Sequence, residues 1–282
     1  MQDAPAHCAE LVRTADRDRY LAALFAPMER RGALYALYAF NSEVARVREV
    51  AHEPLPGEIR LQWWTDVLRG ERSAEANANP VAAALLTAID RHGLDSAKLI
   101  DLIEARRFDL YDQPMTTLGD LESYARNTAS VLFALVGQVL AGFEAQPAAA
   151  AAAEPAGIAY AIAGLLQALP LHAARHQLYL PVELLARHRL EISDLFAGRS
   201  SAGLDAALAE MRTIARRHLA AARERLIGLP AAALPAFLPI ALVRPALDRL
   251  DRSDAFSPAG IAPWRRQWLI WRAARNPARI AG

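Results

Sequence analysis

The sequence has almost no cysteine: Cys8 is the only one among 282 residues. A single cysteine excludes a disulfide framework and a thiolate metal cluster within one chain. The seven histidines contain no H-E-x-x-H pattern, which argues against a zinc enzyme. Lysine is nearly absent as well, and the basic and acidic residues almost cancel at a net charge of +1. The bulk charge therefore does not indicate a nucleic-acid partner.

Long uninterrupted hydrophobic runs are also missing from the chain. Its N-terminus lacks the charged-then-apolar layout of a signal peptide. The best candidate for a membrane span, residues 148–171, is interrupted by Glu154, Pro155 and Pro170, so we expect a buried core helix there. The sequence therefore predicts a cytoplasmic protein, whose membrane contact would be peripheral and at the inner face of the cytoplasmic membrane.

The abundant residues, alanine, leucine and arginine, favour helix, whereas the β-branched runs typical of strands are rare. Apolar residues recur at helical spacing along most of the chain. Because there is no internal repeat or clear linker, we predict an all-α helical bundle in which residues 1–282 form a single domain. The first predicted helix ends near Leu24, the second runs from Pro27 to near His52, and the third holds residues 59–67 and closes at Gly70. The next three are predicted from Pro80 to Gly93, from Asp95 or Ser96 to Leu110, and from Thr116 or Thr117 past Val136. The remaining predicted helices are 156–171, 204–226, 234–250 and 263–274, and the predicted loop and connector are 71–79 and 142–147.

Three blocks of the sequence occur in an order and spacing similar to those of one enzyme family. They are Phe-Ala-Pro with Ala-Leu-Tyr-Ala-Phe (25–40), Asn-Pro-Val through Asp109 to Tyr124 (79–124), and a stretch ending in Tyr-Leu-Pro with Phe-Leu-Pro after it (164–239). Together they resemble the squalene/phytoene synthase family over nearly the whole chain. The resemblance implies an isoprenoid-synthase-type bundle with a central cavity. It also implies a family chemistry, the head-to-head condensation of isoprenyl diphosphates.

The acidic residues that this family chemistry needs are mostly missing. In the family, two facing helices carry aspartates that hold Mg²⁺, and the Mg²⁺ clamps the leaving diphosphate. The resemblance places Ala45, Arg46 and Glu49 at those positions on the first helix, and Ala168 and His172 on the second. Mg²⁺ prefers carboxylate oxygen, so alanine and arginine cannot replace aspartate and histidine does so poorly. We therefore predict no metal site and no cofactor, with Mg²⁺ expected only if the chain is a working prenyltransferase.

The replacements follow a pattern. The strings A-F-N-x-E-x-A-x-V-R-E and A-L-P-L-H-A-A-R with Y-L-P are similar to those of the family's subgroup that lacks the metal motifs and includes the mitochondrial complex I assembly factor. This resemblance implies a protein that is not catalytic and assists the assembly of respiratory complex I (NADH dehydrogenase). The residues that carry the likeness are Asn41, Glu43, Ala45, Pro170, His172 and Arg175.

Two other functions stay open at the level of sequence. One is an active head-to-head prenyltransferase of the squalene or phytoene synthase type. The other is a carrier that binds an isoprenoid or quinone-like lipid in an apolar pocket between the helices bearing Val44 and Leu165. The expected partners are accordingly a complex I subunit or assembly intermediate, an apolar isoprenoid or lipid ligand, and no nucleic acid.

A basic site could replace the former metal site. Arginines on facing helices would bind a phosphate or lipid head group without metal, although the same arginines could be ordinary solvated or salt-bridged residues. Glu49 and Glu53 are spaced to imitate an acidic pair, or are solvated carboxylates near a helix end. The candidate anion- or ligand-binding residues are Tyr38, Glu43, Arg46, Arg48, Asp109, Gln167, His172 and Arg175, of which Asp109 could instead lie on a helix surface.

Three tryptophans lie at i, i+4 and i+7 near the end of the sequence: Trp264, Trp268 and Trp271. Arginines flank them, and tryptophan with arginine is typical of a helix at a membrane interface. The alternative is a terminal helix that packs its aromatic stripe onto the bundle. We treat the three residues as a possible contact site for a membrane or a membrane-bound partner.

Overall fold

Helices account for all the regular secondary structure in residues 4–51, 53–111, 113–257 and 260–282, which are the residues that the computed structural model describes. This confirms the predicted all-α architecture. The α-helices are α1 (Ala4–Ala15), α2 (Arg17–Ala23), α3 (Met28–Ala45), α4 (Val47–Val50), α5 (Pro54–Leu68), α6 (Ser73–Ala78), α7 (Pro80–His92), α8 (Ser96–Arg107), α9 (Leu118–Ala125), α10 (Val131–Ala141), α11 (Gln146–Gln167), α12 (Leu169–Ala174), α13 (Val182–Arg187), α14 (Ile192–Phe196), α15 (Ala202–Leu226), α16 (Val243–Leu250) and α17 (Pro263–Arg275).

Tighter and wider helical turns connect several of these helices. A π-helical turn joins α9 to α10, and a long 3₁₀ segment leads into α16. The 3₁₀ segments are Phe108–Leu110, Phe143–Ala145, Ala231–Leu242 and Pro277–Arg279, and the π-helical turn is Arg126–Ser130.

Local sequence sets the boundaries of α7 as predicted. The Asn79 side chain accepts hydrogen bonds from the backbone N–H groups of Val81 and Ala82, both at 3.0 Å. Pro80 is the first helical residue, where its missing N–H is not needed. The helix ends at Gly93, whose φ of +58° lies in the left-handed region that favours glycine.

The next two helices also begin at predicted capping residues. Asp95 accepts a hydrogen bond from the N–H of Ala97 at 2.9 Å and starts α8. Thr117 and Asp120 form a reciprocal capping box that starts α9. The confirmed starts share one property, a short polar side chain that can reach the first free N–H groups.

Several predicted boundaries were wrong. The helix expected from Pro27 to near His52 is interrupted at Arg46, and His52 lies outside the described residues. The expected loop at 71–79 contains the short helix α6. The helix expected over 156–171 begins at Gln146 and pauses at Ala168.

Prolines explain another difference. Residues 234–250 were expected to form one helix, but Pro235 and Pro239 lie in a 3₁₀ segment that precedes α16. Each proline removes an N–H donor and clashes with the preceding turn, which disfavours regular α-helix. A separate difference concerns α8, which was expected to continue as an α-helix to Leu110. It ends at Arg107 and is followed by a 3₁₀ turn at Phe108–Leu110.

The core is organised around α10 and α11. α10 packs against α3, α11 and the 3₁₀ segment Ala231–Leu242, and α11 packs against α15. Two stretches, Phe143–Gln167 and Ala231–Leu250, are long and apolar enough to cross a membrane, but 56% and 61% of their most hydrophobic windows are buried inside the protein. Core helices of soluble bundles have the same properties, as the sequence predicted for residues 148–171.

Candidate functional site

Asp109 is the centre of a buried polar network. It is 8% exposed, and its Oδ1 accepts hydrogen bonds from the hydroxyls of Tyr124, at 2.9 Å, and Tyr179, at 2.8 Å. Arg106 Nη1 donates to Asp109 Oδ2 at 3.0 Å and to the Tyr124 hydroxyl oxygen at 2.7 Å. Asp109 therefore does not lie on a helix surface, and its carboxylate is already bound by three side chains.

Aromatic rings pack around the network. Phe108, Tyr124 and Tyr179 pack edge to face or tilted, with ring centroids 5.9 to 6.0 Å apart. Burial raises the pKa of both tyrosine hydroxyls well above the ordinary value, so both stay protonated and donate hydrogen bonds. Buried polar groups that hydrogen-bond to one another are costly to disturb, although Arg106 Nε is buried and has no partner among the described residues.

His172 packs on the edge of this network. Its ring centroid lies 4.5 Å from that of Tyr179. Burial lowers the pKa of His172 to about 4, against an ordinary value of 6.5; the nearby Asp109 carboxylate opposes this shift and Arg175 adds to it. The imidazole is therefore neutral near pH 7 and adds no positive charge to the site.

Arg46, at a former metal position, and Arg175, three residues after His172, share one carboxylate. Arg46 Nε lies 3.2 Å from Glu49 Oε2, and Arg175 Nη1 lies 3.2 Å from Glu49 Oε1. Arg48 Nη1 donates to the backbone oxygen of Asp109 at 3.2 Å. The fold thus brings together α4, the C-cap of α12 and the 3₁₀ turn after α8, so that the two former metal-binding segments lie in contact.

The surface of this cluster is basic. Arg46, Glu49 and Arg175 keep 59%, 40% and 42% of their side chains exposed. Arg46 and Arg175 carry two positive charges against the one negative charge of Glu49. An exposed ion pair is worth about 1 kcal/mol or less, so an incoming anion can compete with Glu49 for either arginine.

Both former metal-binding helices are interrupted at the positions where the family carries its acids. Arg46 separates α3 from α4 with φ −95° and ψ 6°, and Ala168 separates α11 from α12 with φ −88° and ψ 1°. Pro170, in the first turn of α12, disfavours a continuous helix there. Hydrogen bonds of the i to i+4 type nevertheless continue through both points, from His172 N–H to the Ala168 oxygen at 2.9 Å and from Val50 N–H to the Arg46 oxygen at 3.2 Å, so the main departure from a paired-carboxylate site is in the side chains.

The residues present do not fit a Mg²⁺ pair. Glu49 is held by two arginines and Asp109 by two tyrosines and an arginine. Glu53 cannot pair with Glu49 as on one helix, because α4 ends at Val50 and Glu53 is an extended N-cap. Within the described ranges, no three His, Cys, Asp or Glu residues form a group that could hold a metal ion.

Three of the candidate residues lie apart from this cluster. Tyr38 is buried beneath the guanidinium of Arg19, whose central carbon is 5.7 Å from the ring centroid. Glu43 faces Arg60 on α5 at 3.6 Å. Gln167 donates to the backbone oxygen of Ala163 at 3.1 Å and borders a cavity.

That cavity has a volume of about 310 Å³ and lies between α11 and the C-terminal helices. Its expected position, between the helices bearing Val44 and Leu165, was wrong: neither residue lines it, and Val44 is buried in packed core. Most of its wall is apolar, with one ion pair in which Arg266 Nε donates to Asp18 Oδ1 at 2.8 Å. The lining residues include Asp18, Tyr160, Gln167, Ala168, Leu242 and Arg266.

Sequence reasoning missed several residues of these sites. Arg106 carries no signal of its own, because one more arginine on an arginine-rich helix is not distinctive. Arg19 is similarly hidden, although it is buried between the rings of Tyr38 and Tyr160 and pairs with Asp16 at 2.7 Å. Only the partners that belong to the quoted blocks, such as Tyr124 and Tyr179, could have been found.

Sequence comparisons identify the family. The squalene/phytoene synthase pattern matches residues 12–272. Assembly factor 6 of NADH dehydrogenase (ubiquinone) complex I from Rattus norvegicus is 31% identical over 252 residues, covering 89% of this chain and 75% of the relative. Phytoene synthase from Thermus thermophilus is 28% identical over 278 residues, covering 93% and 91%.

Solved structures show the same fold. A dehydrosqualene synthase superposes with a TM-score of 0.81 at 18% identity, covering 97% of this chain and 96% of that chain. A squalene synthase from Alicyclobacillus acidocaldarius gives 0.76 at 22% identity, covering 91% and 95%. At these identities the superpositions establish the isoprenoid-synthase fold, and the sequence match adds the membership: the chain belongs to the squalene/phytoene synthase family.

Proposed function

We propose that the protein is a non-catalytic member of its family and assists the assembly of respiratory complex I. The observation that carries this proposal is that other side chains already bind the two carboxylates at the site. Glu49 and Asp109 are both bound by arginine or tyrosine donors, and no three His, Cys, Asp or Glu residues in the described part of the chain form a group that could hold a metal ion. The similarity to complex I assembly factor 6 supplies the role of assembly.

The absence of catalysis can be tested directly. The protein would be incubated with farnesyl or geranylgeranyl diphosphate and Mg²⁺, with an established phytoene synthase as positive control. Losing the charge stabilisation of a metal costs several kcal/mol, and each 1.36 kcal/mol slows a step about tenfold. We expect no pyrophosphate release and no C30 or C40 product. Turnover near an ordinary enzyme rate of about 1 s⁻¹ would establish the prenyltransferase alternative instead.

The role in assembly is tested separately in cells. Deleting the gene should lower the amount of assembled complex I on native gels and its NADH oxidation activity, and the wild-type gene should restore both. An R46A/R175A variant should restore less if the basic cluster is the working surface. R223A/R225A, which removes two exposed arginines from α15, is the matched control and should restore fully. Complex I levels that do not respond to the deletion would refute the role.

A second candidate, an isoprenoid or quinone-like lipid carrier, is supported by the cavity beside α11. About 310 Å³ is at the lower end of ligand pockets, enough for a ring or part of a prenyl chain. Binding of a short-chain quinone would be measured by quenching of tryptophan fluorescence. Filling the cavity with Ala246→Phe should abolish binding. Ala221→Phe on the exposed face of α15 should not change it.

We also propose a location at the inner face of the cytoplasmic membrane. Fractionation of cells would test it, with the expected outcome that salt or alkaline washing releases the protein from membranes. Protein found only in the soluble fraction would refute this part of the proposal without affecting the assembly role.

A further inference from the structure

Helix α17 exposes three indole rings on one side. Trp264, Trp268 and Trp271 are 70%, 45% and 49% exposed, whereas Trp64 in the core is 1% exposed. At 3.6 residues per turn the three positions fall within an arc of roughly 60°. We call these three side chains, with the arginines beside them, the tryptophan face.

The opposite side of the same helix anchors it to the bundle. Ile270 and Ala273 are each 1% exposed, and Arg266 is paired with Asp18 of α2. α17 packs against α2 and the 3₁₀ segment Ala231–Leu242. One side of α17 therefore packs against the bundle. The other side carries the tryptophan face, whose indole rings the bundle leaves uncovered.

The charge of the tryptophan face has a single sign. The helix contains four arginines and no acidic residue. Arg265, Arg272 and Arg275 have no carboxylate within ion-pair distance among the residues that the structure describes, whereas Arg266 is neutralised on the other side. The face thus presents three unneutralised positive charges between and beside its indoles.

The arginines are held against the rings. The guanidinium carbon of Arg272 lies 4.9 Å from the ring centroid of Trp268, and that of Arg275 lies 5.3 Å from the ring centroid of Trp271. Arg272 Nε is buried and has no hydrogen-bond acceptor in the described part of the chain. Each pair thus combines an indole ring with a guanidinium that no carboxylate of the described residues neutralises.

We infer that the tryptophan face binds an anionic phospholipid surface, with α17 lying in the plane of the interface. Indole rings partition to the boundary between head groups and acyl chains, and the arginines beside them can reach lipid phosphates. A surface whose charged side chains are all positive complements a charged lipid sheet more fully than it complements a protein surface of mixed charge. This inference does not depend on the proposed role in complex I assembly.

The test uses the full-length protein and two kinds of vesicle. Sedimentation with phosphatidylcholine vesicles is compared with vesicles in which about 30% of the lipid is phosphatidylglycerol. The wild type should bind the anionic vesicles, shift its tryptophan emission to the blue, and be released by salt as screening increases. It should bind the neutral vesicles much less.

Matched substitutions locate the contact. Trp264→Ala should weaken binding to vesicles roughly tenfold, and W264A/W268A/W271A by roughly a hundredfold or more. The reason is that each indole that becomes buried in the lipid interface contributes strongly to the free energy of partitioning. R272Q/R275Q should weaken binding to anionic vesicles only. Phe143→Ala, which removes another aromatic that is 71% exposed, and R223Q/R225Q, which removes two exposed arginines from α15, should bind as the wild type does.

Circular dichroism and thermal unfolding show whether the triple variant is folded. If it is not, Trp264→Ala and Arg275→Gln decide, because each changes only an exposed side chain. Wild-type protein that fails to bind anionic vesicles, or a folded W264A/W268A/W271A that binds them normally, would overturn the inference. Binding to a membrane protein in detergent but not to protein-free vesicles would also overturn it, and would assign the face to a protein partner.

Discussion

Asp109 matches an acidic residue of the family, but its surroundings in this structure give it a structural role. The sequence identified it as a match to a family acid but left open whether it faced a cavity or solvent. Its partners decide the matter: two tyrosine hydroxyls and one guanidinium surround the carboxylate. The residue was predictable from the resemblance, whereas Arg106 was not, because its pairing depends on three-dimensional placement.

We predict that Asp109→Ala lowers the free energy of unfolding by about 3 to 5 kcal/mol. The substitution leaves the Arg106 charge and two tyrosine hydroxyls buried without their acceptor. Asp109→Asn, which keeps an acceptor oxygen but loses the charge, should cost less. Urea denaturation measures both. Asp101→Ala on the exposed side of α8 is the control, and an equal effect of Asp101→Ala and Asp109→Ala would contradict the argument.

His172 gives a prediction about pH. Its pKa is about 4 in the folded protein and 6.5 when unfolded. Between these values the unfolded state binds more protons than the folded state, so stability falls as the pH is lowered from about 6.5 to about 4. Above 6.5 both states are neutral at this residue, and His172 has no effect on the pH dependence.

The variant His172→Gln should remove that part of the pH dependence. Urea unfolding at pH 7 and pH 5 is the measurement: the wild type should lose more stability on acidification than the variant does. An NMR titration of the imidazole in the folded protein provides an independent check. A midpoint near 6.5, or an identical loss of stability in both proteins, would contradict the assigned burial.

At the scale of helices, the sequence predicted boundaries well where a residue imposes them chemically. Asn79 and Gly93 fix the ends of α7 through a side-chain acceptor and a positive φ. The interruption at Arg46 could not be predicted, because neither proline nor glycine marks it. It arises where the chain must leave α3 and turn α4 toward α5 and the Asp109 turn, which is a tertiary requirement.

Two glycines on α11 should respond in opposite ways to alanine. At Gly157 an added Cβ would lie 2.4 Å from the backbone nitrogen and Cα of Ser130 in the π-helical turn, so the two segments would have to separate. We expect Gly157→Ala to destabilise the protein by about 1 to 3 kcal/mol. At Gly164 no atom lies within 4 Å of the added Cβ.

Gly164→Ala is therefore the matched control on the same helix. Alanine is favoured over glycine in a helix interior by roughly 0.5 to 1 kcal/mol, so this variant should be slightly more stable than the wild type. Thermal unfolding of the two variants gives the comparison. If both substitutions change stability in the same direction, the close approach of α11 to the π-helical turn does not control stability.

At the scale of the whole molecule, the contacts that sequence reasoning could not anticipate are those between distant segments. Helical periodicity predicted each of α2 and α17 on its own, and the family resemblance predicted that both belong to one helical bundle. Nothing local indicated that Asp18 pairs with Arg266, since 248 positions separate them. That ion pair joins the two ends of the chain beside the cavity, and it also fixes which side of α17 faces outward.

Breaking this ion pair should loosen α17 without unfolding the bundle. The Asp18 side chain is 10% exposed and that of Arg266 is 31% exposed, so Asp18→Ala leaves a largely buried cation and should cost roughly 2 to 4 kcal/mol. Hydrogen exchange in α17 should rise more than in α10. The exposed pair Glu10 and Arg13, with side chains 60% and 55% exposed, is the matched control, and Glu10→Ala should leave stability and exchange unchanged. If Asp18→Ala leaves exchange in α17 unchanged, then packing by Ile270 and Ala273 alone holds the helix in place.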